Sequence, residues 1–224
     1  MEILNVLIGC EESQEVCKAF RELGHNAYSC DLEDCSGGHP EWHLKMDIFD
    51  AIDLKGYDWN LAILHPPCTA IAVSGNATYA IGKLKYNERL KAIDWTQNLW
   101  DYTKRFCPYV ALENPVGCLN TLGSFPKPQY IQPWQFGHGE TKKTGLWLHN
   151  LPNLKPTKVV EGREQKVWKM PPSADRQKLR SKTYTGIAAA MAEQWSEFII
   201  NAFEKSNVRR EKINYGQVAP ASIK

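Results

Sequence analysis

The chain reads as an α/β protein built on a largely parallel sheet with crossover helices. Through residues 1–115, short apolar runs that stop at Gly, Asp or Pro alternate with longer stretches of helical period. Such alternation marks strand–helix–strand units, and sheets of this kind bind ligands beyond the carboxyl ends of their strands. Length and composition agree. A chain of 224 residues, 43% hydrophobic and 23% charged, is one ordinary domain with a sizeable core, which excludes disorder, collagen and coiled coil.

The elements follow in order. Ile3-Leu4-Asn5-Val6-Leu7-Ile8 is a buried-strand run closed by Gly9. From Ser13, a helical pattern places Val16, Cys17, Ala19, Phe20 and Leu23 on one face, and Gly24 stops it. Asn26-Ala27-Tyr28-Ser29-Cys30 is a second strand, ending at Asp31; a Gly/Pro loop then leads to Met46-Asp47-Ile48. Leu61-Ala62-Ile63-Leu64 is another buried strand, cut off by Pro66-Pro67, since proline cannot donate to a ladder. Residues 85–105 fit a long helix with Leu90, Ile93, Trp95 and Leu99 as apolar positions. Tyr109-Val110-Ala111-Leu112 is the next strand and ends at Glu113-Asn114-Pro115.

The second half is less regular. Gln132 to Gly137 and Gly145 to Leu148 read as short strands around a Gly/Lys/Thr loop, and residues 151–182 as extended, basic, loop-rich chain. An amphipathic helix returns from Gly186 to Phe203 on Ile187, Ala190, Met191, Trp195, Phe198 and Ile199, followed by a polar tail. The expected division is a body of residues 1–145 with 184–204, a short basic segment at 146–183, and a tail at 205–224. Charge follows it: residues 1–154 carry 13 Lys+Arg against 18 Asp+Glu, and residues 155–224 carry 14 against 7. A basic end on an acidic body points to a polyanionic partner, or to a solvated lysine-rich surface. No stretch approaches eighteen apolar residues without a charge, and the N-terminus lacks the basic flank of a secretory signal. Seven scattered cysteines suit reduced thiols, so the expected location is cytoplasmic.

The unusual residues all fall at strand ends: Gly9-Cys10-Glu11, Asp31, His65-Pro66-Pro67-Cys68 and Glu113-Asn114-Pro115. Cys68 follows two residues of fixed φ, and a thiol held on a stiff turn over a cleft suits nucleophilic attack; an inert buried thiol is the alternative. Glu113 ends a neighbouring strand, where a carboxylate can hold a substrate nitrogen. A nucleophile paired with an acid is the minimum kit for adding a thiolate across a polarised ring.

Pro66-Pro67-Cys68 and Glu113-Asn114-Pro115 resemble the Pro-Cys and Glu-Asn motifs of the DNA cytosine-C5 methyltransferases, in a compact phage and bacterial branch. Gln132 to Lys142 (QPWQFGHGETK) and Gly186 to Trp195 (GIAAAMAEQW) extend the resemblance in order over nearly the whole chain. It implies a Rossmann-like, S-adenosylmethionine-dependent methyltransferase sheet with a reduced target-recognition region. It also implies a mechanism in which Cys68 attacks carbon 6 of cytosine and Glu113 bonds N3 and the exocyclic amine. Carbon 5 then takes the methyl group, and loss of its proton expels the thiolate. An aromatic residue in place of Cys68 would have suggested methylation of an exocyclic amine instead. The resemblance assigns the cofactor to Ile8, Gly9, Cys10, Asp31, Leu32, Asp47, Ile48, His65 and Pro67, and the substrate to Pro66, Asn114, Lys142 and Lys143.

The chain departs from the family pattern in its first turn, Gly9-Cys10-Glu11-Glu12-Ser13, which has fewer glycines, and in offering Lys142-Lys143 where arginines are usual. Arg163, Lys166, Lys169, Arg176, Lys178, Arg180 and Lys182 could follow a phosphate backbone, with Trp168 or Tyr184 stacking on a base. Cys30, Cys35, His39 and His43 are the right residue types for zinc at the wrong spacing, so no metal is expected. The expected partner is DNA, duplex or single-stranded, with neither a membrane nor an obligate protein partner. RNA or free-nucleotide cytosine methylation, a non-catalytic nucleic-acid-binding module on the same fold, and a thiol hydrolase using His65 stay open.

Overall fold

The computed structural model describes residues 2–171, 173 and 176–216. The first half comprises β1 (Asn5–Gly9), α1 (Glu15–Glu22), β2 (Asn26–Asp31), β3 (His43–Lys45), α2 (Ile48–Ile52), β4 (Leu61–Leu64), α3 (Asn76–Tyr79), α4 (Tyr86–Phe106) and β5 (Tyr109–Pro115). The second half adds α5 (Leu119–Leu122), β6 (Gln129–Ile131), β7 (Thr144–His149), α6 (Lys166–Lys169), α7 (Arg176–Ser181) and α8 (Thr185–Gly216). The strands form one seven-stranded sheet in the order β3-β2-β1-β4-β5-β7-β6. β1 to β5 run parallel, and β7 is antiparallel to both β5 and β6. The chain leaves β1 toward β2 and returns on its other side as β4. This is the strand-order reversal of a Rossmann-like, doubly wound sheet.

The strands are continuous apolar runs because both faces of the sheet are covered. Side chains alternate between faces. Val6, Ile8, Leu61, Ile63 and Ala111 pack with α1 and α8 through Val16, Phe20, Met191 and Trp195. Leu7, Ala62, Leu64, Val110 and Leu112 pack on the other face with Ile48, Ile93, Leu99 and Trp100 of α2 and α4. By the same alternation, residues 65 and 113 continue the face that meets α8.

Several expected elements shift. Gln132 to Gly137 is not a strand. Pro133–Gln135 forms a 3-10 turn with a capping box between Gln132 and Gln135, and the strand lies upstream as β6. β7 carries the sheet past residue 145 to His149, because Leu146 and Trp147 pair with Glu113 and Leu112 of β5. α8 continues beyond the expected end of the helix at Phe203, to Gly216; residues 217–224 lie outside the described chain. On α4 the apolar stripe is displaced: Leu90 is 37% exposed, while Arg89 is only 4% exposed. β3, three residues long, carries no periodicity to read.

α8 is docked by unusually close contacts at its start. The Gly186 N–H donates to His138 Nε2 at 3.0 Å, and a Cβ at Gly186 would sit 1.9 Å from the Phe136 carbonyl oxygen. Further along, Trp195 is fully buried and donates Nε1–H to Pro152 O at 3.1 Å. Gln194 exchanges two hydrogen bonds with the backbone of Lys155. The Gly186–Trp195 string is therefore explained by packing. Gly186→Ala is expected to cost at least about 1–3 kcal/mol through overpacking against backbone. Gly139→Ala, whose Cβ would meet nothing closer than 3.6 Å, should change little. Urea unfolding of both variants checks this.

Candidate active site

The register of the parallel strands sets the site. Gly9 pairs with Cys30 and with Leu64, and Leu64 pairs with Leu112. The next position on each strand therefore lies along one edge: Cys10, Asp31, His65 and Glu113. His65 and Glu113 are neighbours across β4 and β5, with Nδ1 of His65 3.1 Å from Oε2 of Glu113 and side-chain exposures of 10% and 13%. The His65 N–H donates to Gly9 O at 2.9 Å, which extends the ladder one residue past β4.

Cys68 stands on the turn that follows. Pro66 is buried and Pro67 exposed. Asn114, expected to touch substrate, is instead fully buried and donates Nδ2–H to Pro66 O at 3.0 Å. It ties the Glu113 strand to the Cys68 turn. The chain beyond Cys68 is stitched to the loop after β5: the Val73 N–H donates to Val116 O and the Cys118 N–H to Ile71 O. Gly117 is required there, since a Cβ would fall 2.4 Å from Ile71 O. Arg89 closes the frame, donating Nε–H to Ala70 O at 2.6 Å and Nη2–H to Asn76 Oδ1 at 2.9 Å. Sequence reading missed Arg89 because only its tertiary partners reveal that its helix position is buried.

Lys142 and Lys143 part ways. Lys142 lines a small pocket with Glu113, Thr144, Tyr184 and Ile187, and its Nζ donates to Lys182 O at 3.1 Å. Lys143 is exposed and lies over the Tyr130 ring, 4.4 Å from its centre, so it belongs to the surface. Tyr184, one of the two candidates for stacking on a base, lines the same pocket and donates its hydroxyl to Glu140. Trp168's side chain lies outside the described residues.

The electrostatics are coupled. Burial raises the Cys68 thiol pKa and the Glu113 charge raises it further, against the pull of Lys142 and Arg180. Burial also opposes ionisation of Glu113. The hydrogen bond to His65 and the charges of Lys142 and His65 outweigh it, and hold the carboxyl below the usual carboxylate range. Glu11, after β1, is pushed up to about 7, chiefly by burial. Its carboxylate accepts the N–H groups of Val16 and Cys17 at the start of α1.

The residues assigned to the cofactor scatter in role. Ile8 is core. A Cβ at Gly9 would lie 2.5 Å from Cδ1 of Ile48, so the turn after β1 sits close against α2. Cys10 takes a left-handed φ of 58° where glycine is usual. Asp47 caps α2 by accepting the Phe49 N–H, and Pro67 faces out. Asp31 uses Oδ1 for the Glu33 N–H, and Leu32 beside it is 69% exposed. Both carboxylate oxygens of Glu12, which sequence reading did not single out, are buried without a hydrogen-bond partner among the described residues. A buried anion without a partner calls for a cation. The ammonium group of a bound S-adenosylmethionine would supply such a cation at Glu12.

Much of the basic segment is neutralised within the chain. Lys166 pairs with Glu140, Lys178 with Glu33 and Lys182 with Glu15, and the Arg163 guanidinium lies 3.9 Å from the centre of the Trp134 ring. Arg176 and Arg180 differ: their Nε atoms are buried without partners among the described residues. The zinc residue types are engaged elsewhere. His39 stacks on Trp42, His43 bonds Ser29 and the Glu33 carbonyl, and Cys30 donates to Met46 O. No metal-binding group of three occurs among the described residues, and none of the described helices is long and apolar enough to cross a membrane.

No family model matches the chain, and no curated protein matches it. Among solved structures, it is similar to a protein described as a DNA modification methyltransferase encoded within an E. coli prophage, with TM-score 0.46 and 11% identity over 75% of this chain and 55% of that one. It is also similar to the Entamoeba histolytica methyltransferase EhMeth, with TM-score 0.46 and 12% identity over 74% of this chain and 58% of that one. The chain thus spans little more than half the length of either.

Because Glu113 raises the Cys68 pKa, removing its charge should make the thiol more acidic. In Glu113→Gln, alkylation of Cys68 by iodoacetamide is expected to rise at a given neutral pH, its pH profile moving toward acid. In Lys142→Met the profile should move the other way. Peptide mass spectrometry of Cys68 reads both.

Proposed function

We propose that this chain transfers a methyl group from S-adenosylmethionine to carbon 5 of cytosine in DNA, with Cys68 as the nucleophile and Glu113 as the group that holds the ring. The observation that carries this reading is the placement of a thiol and a buried carboxylate beyond the ends of adjacent parallel strands, with the Asn114–Pro66 hydrogen bond joining the two segments. Carbon 5 of cytosine is a poor nucleophile. Addition of the Cys68 thiolate to carbon 6 saturates the 5,6 bond and places electron density on carbon 5. The bound donor supplies an electrophilic methyl group.

Each residue has a stated task. Lys142 and Arg180 favour the thiolate against burial and against Glu113. Ionised Glu113 accepts a hydrogen bond from the exocyclic amine and orients the Watson–Crick edge, while Asn114 holds the Cys68 turn at a fixed distance from it. Lys142, at the pocket wall, takes the place given to arginines in the family the sequence resembles, as a point charge on the cytosine O2 side. Arg176 and Arg180, whose Nε atoms are buried without partners among the described residues, suit the phosphates around a base that has left its stack. No hydrogen bond joins His65 to Cys68 among the described residues, which disfavours a thiol hydrolase.

The purified chain with S-adenosylmethionine is expected to form 5-methylcytosine in DNA, read by nucleoside mass spectrometry. Cys68→Ala should abolish it, and Glu113→Gln should slow it by about 10²–10⁴-fold. Unchanged transfer by Cys68→Ala would contradict the mechanism. Product in RNA or free cytidine nucleotide, and none in DNA, would move the substrate.

A further inference from the structure

We infer that His65 is the proton-holding partner of Glu113, and that the pair supplies the proton taken up by N3 of the cytosine when Cys68 adds to carbon 6. The inference rests on the proposed reaction and adds a positioning residue to it.

The geometry isolates the pair. His65 and Glu113 are paired across β4 and β5, about nine-tenths buried, with 3.1 Å between Nδ1 and Oε2. The backbone of His65 is fixed by Gly9 on one side and by Pro66-Pro67 on the other. Its Nε2 is buried and has no hydrogen-bond partner among the described residues. The ring therefore has one working nitrogen, and it faces Glu113.

The chemistry needs such a partner. N3 of cytosine is a lone pair, and the ring accepts the thiolate's electrons only as N3 becomes N–H. Glu113 is held as a carboxylate and has no proton of its own to give. Imidazolium beside carboxylate holds the same protons as imidazole beside carboxylic acid, and one transfer across the 3.1 Å contact interconverts them. The step balances. The sulfur forms a bond to carbon 6, the former 5,6 π pair becomes the 4,5 double bond, and the former N3–C4 π pair takes the proton. His65 is left neutral and Glu113 ionised. Elimination runs the same bonds in reverse.

The charges around the pair come from four further elements. Glu11, on the turn after β1, acts on His65. Lys142 and Thr144, at β7, face Glu113. Cys68, on the turn after β4, and Arg180 of α7 flank the thiol side, and Tyr184 closes the pocket.

The test needs no methyl donor. Reversible addition at carbon 6 lets carbon 5 take a solvent proton and lose its own, so tritium at carbon 5 of cytosine in DNA is released to water. Release is measured from pH 5 to 9 for the full chain and for His65→Gln and His65→Asn. Each variant's rate is compared with the wild type at the same pH, because the Cys68 thiol ionises as pH rises in all three proteins. The variants should be about 100-fold slower near pH 8 and recover toward acid, where Glu113 itself carries the proton. A drop of equal size at every pH, or no drop, overturns the inference while leaving the reaction standing. A wild type that neither exchanges nor methylates overturns both. A second reading needs no catalysis: Glu113→Gln should move the His65 ring nitrogen resonances of the folded protein, and unmoved resonances overturn the pairing.

Discussion

The parallel register at the centre of the sheet is the constraint on which the site depends. Leu64 against Leu112, and Gly9 against Leu64, place residues 10, 31, 65 and 113 along one edge. A slip of one residue would turn every side chain of a strand to the opposite face. Glu113 would then face α4, and the buried Leu64 and Leu112 would leave the core they fill. The hydrophobic pattern that stabilises the domain is therefore the same pattern that aims the carboxylate at the pocket.

That frame leaves little freedom beyond the strand ends. The Cys68 turn is held by prolines within the chain, by Asn114 from β5, by backbone bonds to the loop after β5, and by a buried arginine from α4. Each of these contacts fixes backbone rather than side chain. Asn114 spends its amide N–H on the Pro66 carbonyl, while its Oδ1 is buried without a partner among the described residues. The electrostatic balance is of the same kind. Burial opposes charge on both Cys68 and Glu113, and a small number of cations decide the outcome for each.

The first half of the fold was legible because local pattern and tertiary role coincide there. Buried parallel strands must be continuous apolar runs, and Gly9, Asp31, Pro66 and Glu113 punctuate them. The second half was less legible because its order comes from partners far along the chain. The turn at Pro133–Gln135, the early start of β6 and the position of Gly186 against Phe136 leave no periodic trace. Residue type alone does not show what each edge residue touches. Gly9 lies close against Ile48 of α2. Asn114 is buried and donates to the Pro66 carbonyl. Lys142 and Lys143 are adjacent in sequence, but one faces the pocket and the other lies over the half-buried ring of Tyr130. Arg89 and Leu90 exchange their expected places on α4, and Glu12 drew no notice because a lone carboxylate in a turn is unremarkable until both its oxygens are buried.

The central claim is that Cys68 becomes covalently bound to a cytosine ring steadied by Glu113. DNA containing 5-fluorocytosine tests it most directly, since fluorine at carbon 5 cannot depart as a proton does, and the adduct persists after methyl transfer. With S-adenosylmethionine present, the account predicts a covalent protein–DNA complex whose linked peptide maps to Cys68 and which Cys68→Ala does not form. A linkage at another cysteine, or an active protein that forms no covalent complex, would contradict it.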